Sequence, residues 1–279
     1  MGGAMAARLL AQGWPVRVHD IDSRKHAALL SAGTTTHASP AQAAQGCAAV
    51  MVCVVDAAQC EQVLFGPRGL AGAMPPGSMV MLCPTIAPQD TETLAGRLAR
   101  HGIEVLDAPM SGGPARAREG SMSLMLAGRE ELVARFGALL AALSSRIFRI
   151  SERVGDGART KLVNNLAAGI NLVGAAEVLA MARVMGLDLG RTLDVIEQSS
   201  GQSWIGSDRM RRAIAGDDAP RAHMTLLEKD TRLAVAAGQA AGFAGPLGAS
   251  VAGVFARASA AGLADLDDAA LLRWLEDQT

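Results

Sequence analysis

Apolar and polar positions change their rhythm near the middle of the chain. In the first half, short runs rich in β-forming residues alternate with stretches whose apolar residues recur every three or four places. The runs predict strands at residues 15–20, 48–55, 79–83, 104–108, 121–127 and 146–150, and the periodic stretches predict helices at 4–12, 24–32, 88–101 and 130–143. A run such as 50–55 is apolar on both faces, as a parallel strand covered by helices must be. This alternation implies an α/β layer with right-handed crossovers. After Gly157 the strand pattern stops. Residues 158–185 read as one proline-free helix closed by Gly186. At 1.5 Å per residue it would run roughly 40 Å, so it is expected to leave the first domain and form the spine of a second. Further helices are expected at 189–198, 203–215, 225–241, 246–261 and 267–275.

Composition narrows the function classes. Half of the 279 residues are hydrophobic and 19% are charged, enough for a sizeable core and too apolar for disorder. A formal net charge of -1 gives nucleic acid no basic footprint, and 3% aromatics without a tyrosine disfavour base stacking. Cys47, Cys53, Cys60 and Cys83 form no C-x-x-C pair, and the five histidines are scattered, so no metal site is expected. Uninterrupted apolar stretches fall short of the ~18 residues of a membrane span. Arg8 and Arg17 interrupt any signal-peptide core, and the expectation is a soluble cytoplasmic protein.

Three segments carry candidate chemistry. Residues 107–113, Asp-Ala-Pro-Met-Ser-Gly-Gly, follow a strand and offer a hydroxyl (Ser111) beside two glycines, Gly112 and Gly113, whose backbone N–H groups can hold a carboxylate; an ordinary turn is the bland alternative. Residues 155–165 place Lys161 and Asn165 four apart on one helix face, with two asparagines where helices disfavour them; a solvated lysine is the alternative. Lys229-Asp230 alone would be an exposed ion pair. The start of the chain is unusual. In a dinucleotide-binding fold the order is strand, G-x-G-x-x-G, helix, strand and then an acidic residue. Met1-Gly2 followed by Asp20 fits the later part of that order, without the strand and the first two glycines.

Taken in order, these segments resemble the β-hydroxyacid dehydrogenase family, which includes 3-hydroxyisobutyrate dehydrogenases and tartronate semialdehyde reductases. Met1-Gly2 resembles the end of its G-x-G-x-M-G loop, and Thr85-Ile86-Ala87-Pro88 its T-[IV]-[SA]-P turn near the nicotinamide. Residues 107–113 resemble its D-A-P-[VM]-S-G-G substrate motif, and residues 121–128 the stretch after it. Residues 155–165 resemble G-x-G-x-x-x-K-x-x-N-N, and Lys229-Asp230 the late K-D pair. Asn164-Asn165 separates the chain from 6-phosphogluconate dehydrogenases, which usually have a histidine before that second asparagine. Residues 199–204 and 216–221 look most like the L-threonate dehydrogenase branch.

The resemblance implies a Rossmann-type parallel sheet lacking its first strand, over residues 1–154, and an all-α substrate and dimerisation domain over 155–279. It implies Lys161 as general acid/base, its pKa lowered by a dry cleft and a cationic nicotinamide. Ser111, Gly112, Gly113 and Asn165 would bind substrate, and Met1, Gly2, Asp20, Thr85 and Lys229 the cofactor, with Lys229 closing the cleft. Asp20 favours NAD, while Arg24 and Lys25 leave NADP open. The implied substrate is a small hydroxy acid, L-threonate or alternatively 3-hydroxyisobutyrate or tartronate semialdehyde. A catalytically silent relative and an imine reductase are rival readings; Lys161 counts against both, and the missing strand for the first. The apolar helices between 173 and 261 imply a homo-oligomer, a dimer or tetramer. Met1 is not expected to be the natural start: about ten residues, a strand and Gly-x-Gly-x, should precede it. Without them, weak cofactor binding and an interrupted sheet are expected.

Overall fold

The computed structural model describes residues 1–25, 30, 33–217 and 219–278. The helix expected over 24–32 lies largely outside these residues; Ser23–Lys25 is a 3-10 turn. Contacts divide the chain into two compact units, Met1–Lys161 and Leu162–Thr279.

In the first unit, α1 (Gly2–Ala11) leads to β1 (Arg17–Val18), β2 (Thr35–Thr36), α2 (Pro40–Ala44), β3 (Ala49–Val52) and α3 (Ala57–Phe65). β4 (Met79–Leu82), α4 (Pro88–Ala99), β5 (Glu104–Asp107), β6 (Met110–Ser111) and α5 (Gly113–Glu119) follow. β7 (Ser123–Ala127), α6 (Glu130–Arg135), α7 (Gly137–Leu143) and β8 (Arg146–Ser151) complete it. Side-chain caps start the short helices: Ser39 accepts from the Gln42 N–H and Asp56 from the Gln59 N–H. The sequence pattern did not predict α2, α3 and α5.

β3, β4 and β5 are parallel and in register, Val52 opposite Leu82 and Leu82 opposite Asp107. β4 is buried along its whole length; Met79 and Met81 face one apolar cluster, Val80 and Leu82 the other. The parallel pattern breaks at β7, which runs antiparallel to β5 and β6 and parallel to β8. The chain returns from β6 to β7 through residues 112–122, which include α5, and the two strands pair antiparallel, Met110 opposite Leu124.

β1 and β2 form a separate two-stranded parallel sheet, and among the described residues no ladder joins β1 to β3. This agrees with the expected interruption. It also explains why the apolar β3 is only partly buried at three of its four positions. The strand expected at 15–20 is two residues long, Arg17–Val18, and among the described residues it pairs with β2 alone.

α8 (Asp156–Val184) is the long helix that the sequence predicts, ended by Gly186 at φ +74°; its first six residues belong to the first unit and the rest, from Leu162, to the second. Among the described residues it is long and apolar enough to cross a membrane by length and composition. Leu172, Val173, Ala176, Leu179 and Ala180 are instead buried in the core of this unit. α9 (Leu189–Glu197), α10 (Trp204–Ile214), α11 (Met224–Ala240), α12 (Pro246–Ala258) and α13 (Leu271–Glu276) pack around it. A Cβ on Gly169 would lie 2.7 Å from Thr231 Cγ2, so α8 and α11 meet closely there. Buried charge fastens the segment before α11. Asp267 accepts from the N–H groups of Arg221 (2.7 Å) and Ala222 (3.1 Å) and pairs with Arg212 at 2.9 Å.

Candidate active site

In the first unit, several candidate residues lie at the carboxyl ends of β3–β5, where open α/β sheets bind ligands. α1 begins with Met1 as its cap residue, without a side-chain cap and without an acidic residue in the first turn. Its leading N–H groups are therefore directed at whatever anion approaches. A Cβ on Gly2 would lie 3.1 Å from Cys53 Cβ, so this turn rests on the end of β3; a Cβ on Gly3 would meet nothing within 4 Å. Asp20 follows β1; its carboxylate accepts from the Asp22 N–H at 2.9 Å and lies 3.7 Å from Lys25 Nζ. Thr85 stands in the turn between β4 and α4. An uncapped helix start beside glycines, with a carboxylate after the next strand, fits a dinucleotide.

Ser111 ends β6 opposite Ser123. Gly112 and Gly113 follow at φ +125° and +74°, conformations that L side chains rarely adopt, and start α5. Lys161 lies on the second turn of α8 and is only 7% exposed.

The start of α8 is tied to β5 by a residue that the sequence did not single out. Asp107 is 2% exposed, and its Oδ2 accepts from the N–H groups of Gly155 (2.9 Å) and Ala158 (3.0 Å). Gly157 has no room for a side chain: a Cβ would lie 2.9 Å from Asp107 Cγ and from the Met125 carbonyl oxygen. The two glycines of this motif thus serve the approach of a carboxylate to a helix start. Around it, Asp156 accepts from Ser151 Oγ (2.8 Å) and Arg159 (3.0 Å), and Arg159 reaches Glu92 of α4 at 2.8 Å. Burial pushes the Asp107 carboxyl up to about 6, against the opposing pull of the Ala158, Gly155 and Gly157 N–H groups.

In the second unit, Asn165 is 8% exposed and donates from Nδ2 to Asp230 Oδ2 at 2.5 Å. Lys229 Nζ donates to Asp230 Oδ1 at 2.6 Å. Asp230, 7% exposed, joins the asparagine of one motif to the lysine of another. The K-D pair is therefore no exposed ion pair. A compositional signal also points here: the chain has only three lysines, Lys25, Lys161 and Lys229, among 26 basic residues. Two of the three, Lys161 and Lys229, lie in the motifs described above.

The NAD binding domain of 6-phosphogluconate dehydrogenase matches residues 1–151, and the NAD-binding domain of NADP-dependent 3-hydroxyisobutyrate dehydrogenase matches residues 155–275. The chain belongs to the 3-hydroxyisobutyrate dehydrogenase-like family of β-hydroxyacid dehydrogenases. It is similar to an L-threonate dehydrogenase of Cupriavidus necator, 36% identical over 98% of this chain and 92% of that one. Among solved structures, a 3-hydroxyisobutyrate dehydrogenase from Salmonella typhimurium superposes with a TM-score of 0.92 at 34% identity, covering 98% of this chain and 95% of that one. Psf3 in complex with NADP+ and 2-OPP gives a TM-score of 0.91 at 27% identity, covering 99% and 96%. Members of this family are NAD(P)-dependent oxidoreductases acting on the CH–OH group of hydroxy acids, and so is this chain.

Asp107 makes a signed prediction for stability. Its carboxyl sits at about 6 in the folded chain and at the ordinary 3.8 when unfolded. The folded chain thus binds this proton more tightly; the contribution is complete below pH ~3.8 and is lost as pH rises through ~6. Asp268, also raised to about 6 by burial, contributes with the same sign. Thermal unfolding of the wild type and Asp107→Asn across pH 4–7 should therefore diverge, the wild type losing midpoint relative to the variant as pH rises. Parallel curves would contradict the assignment.

Proposed function

We propose that this enzyme oxidises a four-carbon sugar acid, L-threonate being the first candidate, with Lys161 as general acid/base. The observation that carries the reading is the burial of Lys161 near the start of a helix held to the strand end that precedes Ser111. The resemblance of residues 199–204 and 216–221 to the L-threonate branch, and the L-threonate dehydrogenase relative, support the substrate. The 3-hydroxyisobutyrate dehydrogenase neighbour supports 3-hydroxyisobutyrate as the second candidate.

The first turn of α1, Asp20 and Thr85 would hold NAD(P), with Lys229 contributing. When bound, NAD(P) supplies the hydride acceptor at its nicotinamide. The backbone N–H groups of Gly112 and Gly113, with Ser111 Oγ, anchor the substrate carboxylate. Asn165 orients the reacting hydroxyl, its own amide fixed by Asp230. Lys161 Nζ takes the hydroxyl proton during oxidation and returns it during reduction. The domain over 155–279 serves substrate binding and self-association. Exposed Val178, Met181, Val184, Met185, Leu187 and Val195 form apolar surface around the end of α8 and α9. A second copy is the occupant we infer for it.

Three measurements test this. Lys161→Ala should lower kcat by about 10²–10⁴ while dinucleotide binding persists, and near-normal turnover would remove Lys161 from the mechanism. In the same assay a panel of L-threonate, D-glycerate and 3-hydroxyisobutyrate ranks the substrates. Asp20→Ala should lower kcat/KM for NAD by about 10-fold, the worth of one charged hydrogen bond, and shift preference toward NADP; an unchanged NAD/NADP ratio would exclude Asp20 from the ribose. Light scattering at micromolar concentration should give a dimer or larger, and a monomer would sink the self-association.

A further inference from the structure

The sequence motifs assign Ser111 to the substrate and Lys161 to the proton, and leave the aspartate at the head of the first motif without a task. Asp107 is the last residue of β5, four positions before Ser111. Its Oδ2 receives both the Gly155 and the Ala158 N–H, so it closes the start of the helix that carries Lys161. The chain gives up side chains to allow this. Gly155 adopts φ +98°, and Gly157 admits no Cβ beside Asp107. We propose that the ionised Asp107 carboxylate is a positioning residue for the reaction: it holds the Lys161 helix in register with the Ser111 loop, and its protonation loosens that hold.

The proposal rests on Lys161 being the acid/base. A carboxylate at a helix start gains both from the N–H groups and from the helix dipole, and the neutral acid loses most of both. The groups facing Asp107 set when this happens. Cys83, just past the end of β4, contributes a thiol; Asp156 opposes ionisation from α8. Arg159 is already engaged by Asp156 and Glu92. Burial outweighs the N–H groups and leaves the carboxyl at about 6, so this hold is charged at neutral pH and discharged in mild acid. The ionised state is the less stable one for the fold, which makes this a place where stability is exchanged for geometry.

Asp107→Asn is the informative variant, because an amide oxygen can still accept the two N–H groups. Turnover is measured in the direction of oxo acid reduction, with tartronate semialdehyde and with the oxo acid that L-threonate oxidation yields. In that direction Lys161 must be charged, so acid cannot silence it, and an acid limb must come from another group. The wild type should lose kcat below pH about 6, whereas Asp107→Asn should show no such limb. Its kcat should be lower by about 10-fold at pH 7.5, with KM for the dinucleotide unchanged. Hydrogen exchange of the amides of residues 155–161, corrected for intrinsic rates, provides an arm that needs no substrate. It should quicken in the wild type as pH falls through 6, and should be quick and insensitive to pH in the variant. Lys161→Ala should lower turnover by the same factor of about 10²–10⁴ and leave this exchange like the wild type. If Lys161→Ala keeps near-normal turnover, the acid/base reading falls while the exchange still judges Asp107. Wild-type kcat and pH profile in Asp107→Asn, or exchange indifferent to both pH and variant, would overturn the proposal.

Discussion

A carboxylate placed against a helix start, away from water, organises the first unit. Asp107 is almost fully buried, and a charge in such a place is tolerated only when donors converge on it. The donors here are backbone N–H groups at the start of α8, which no intrahelical acceptor can satisfy. Each side thus supplies what the other lacks. The pairing fixes where β5 ends, demands two glycines at 155 and 157, and aims the first turns of the long helix. Ion pairs from Arg159 to Asp156 and Glu92 reinforce it at the surface, where their individual worth is small.

Asp230 does a comparable job in the second unit. It gathers the Asn165 amide and the Lys229 ammonium on its two oxygens. A buried polar trio of this kind is fully paired or it is costly. The close approach of α8 and α11 at Gly169 brings their backbones near enough for the trio to form. In both units, a carboxylate that does not itself touch the reacting atoms sets the geometry of side chains proposed to do so.

Much of this was legible in the sequence. The change of rhythm near Gly157 marked the passage from strands to helices, and the proline-free run to Gly186 gave α8 nearly to the residue. Local signals were weaker where tertiary contact decides. α2, α3 and α5 are short helices whose apolar faces are too brief to show a period. The stretch 130–143 reads as one helix but is two, α6 and α7, broken at Phe136. β7 runs antiparallel to β5, and strand direction is something periodicity does not record. Among site residues, motif order pointed to Ser111, Lys161 and Asn165. Asp107 and Asp230 stood inside motifs but carried no assigned role, because their importance lies in backbone and side-chain partners 48 to 65 positions away.

The scarcity of lysine has a practical side. Primary amines outside the chain terminus are confined to Lys25, Lys161 and Lys229. Their side chains differ widely in access: that of Lys25 is 63% exposed, that of Lys229 17%, and Lys161 is nearly enclosed. An amine-selective acylating reagent therefore meets a surface of guanidinium groups that it does not modify. Its adducts, resolved by peptide mass, would report on three positions in an order set by access, with Lys25 first and Lys161 last.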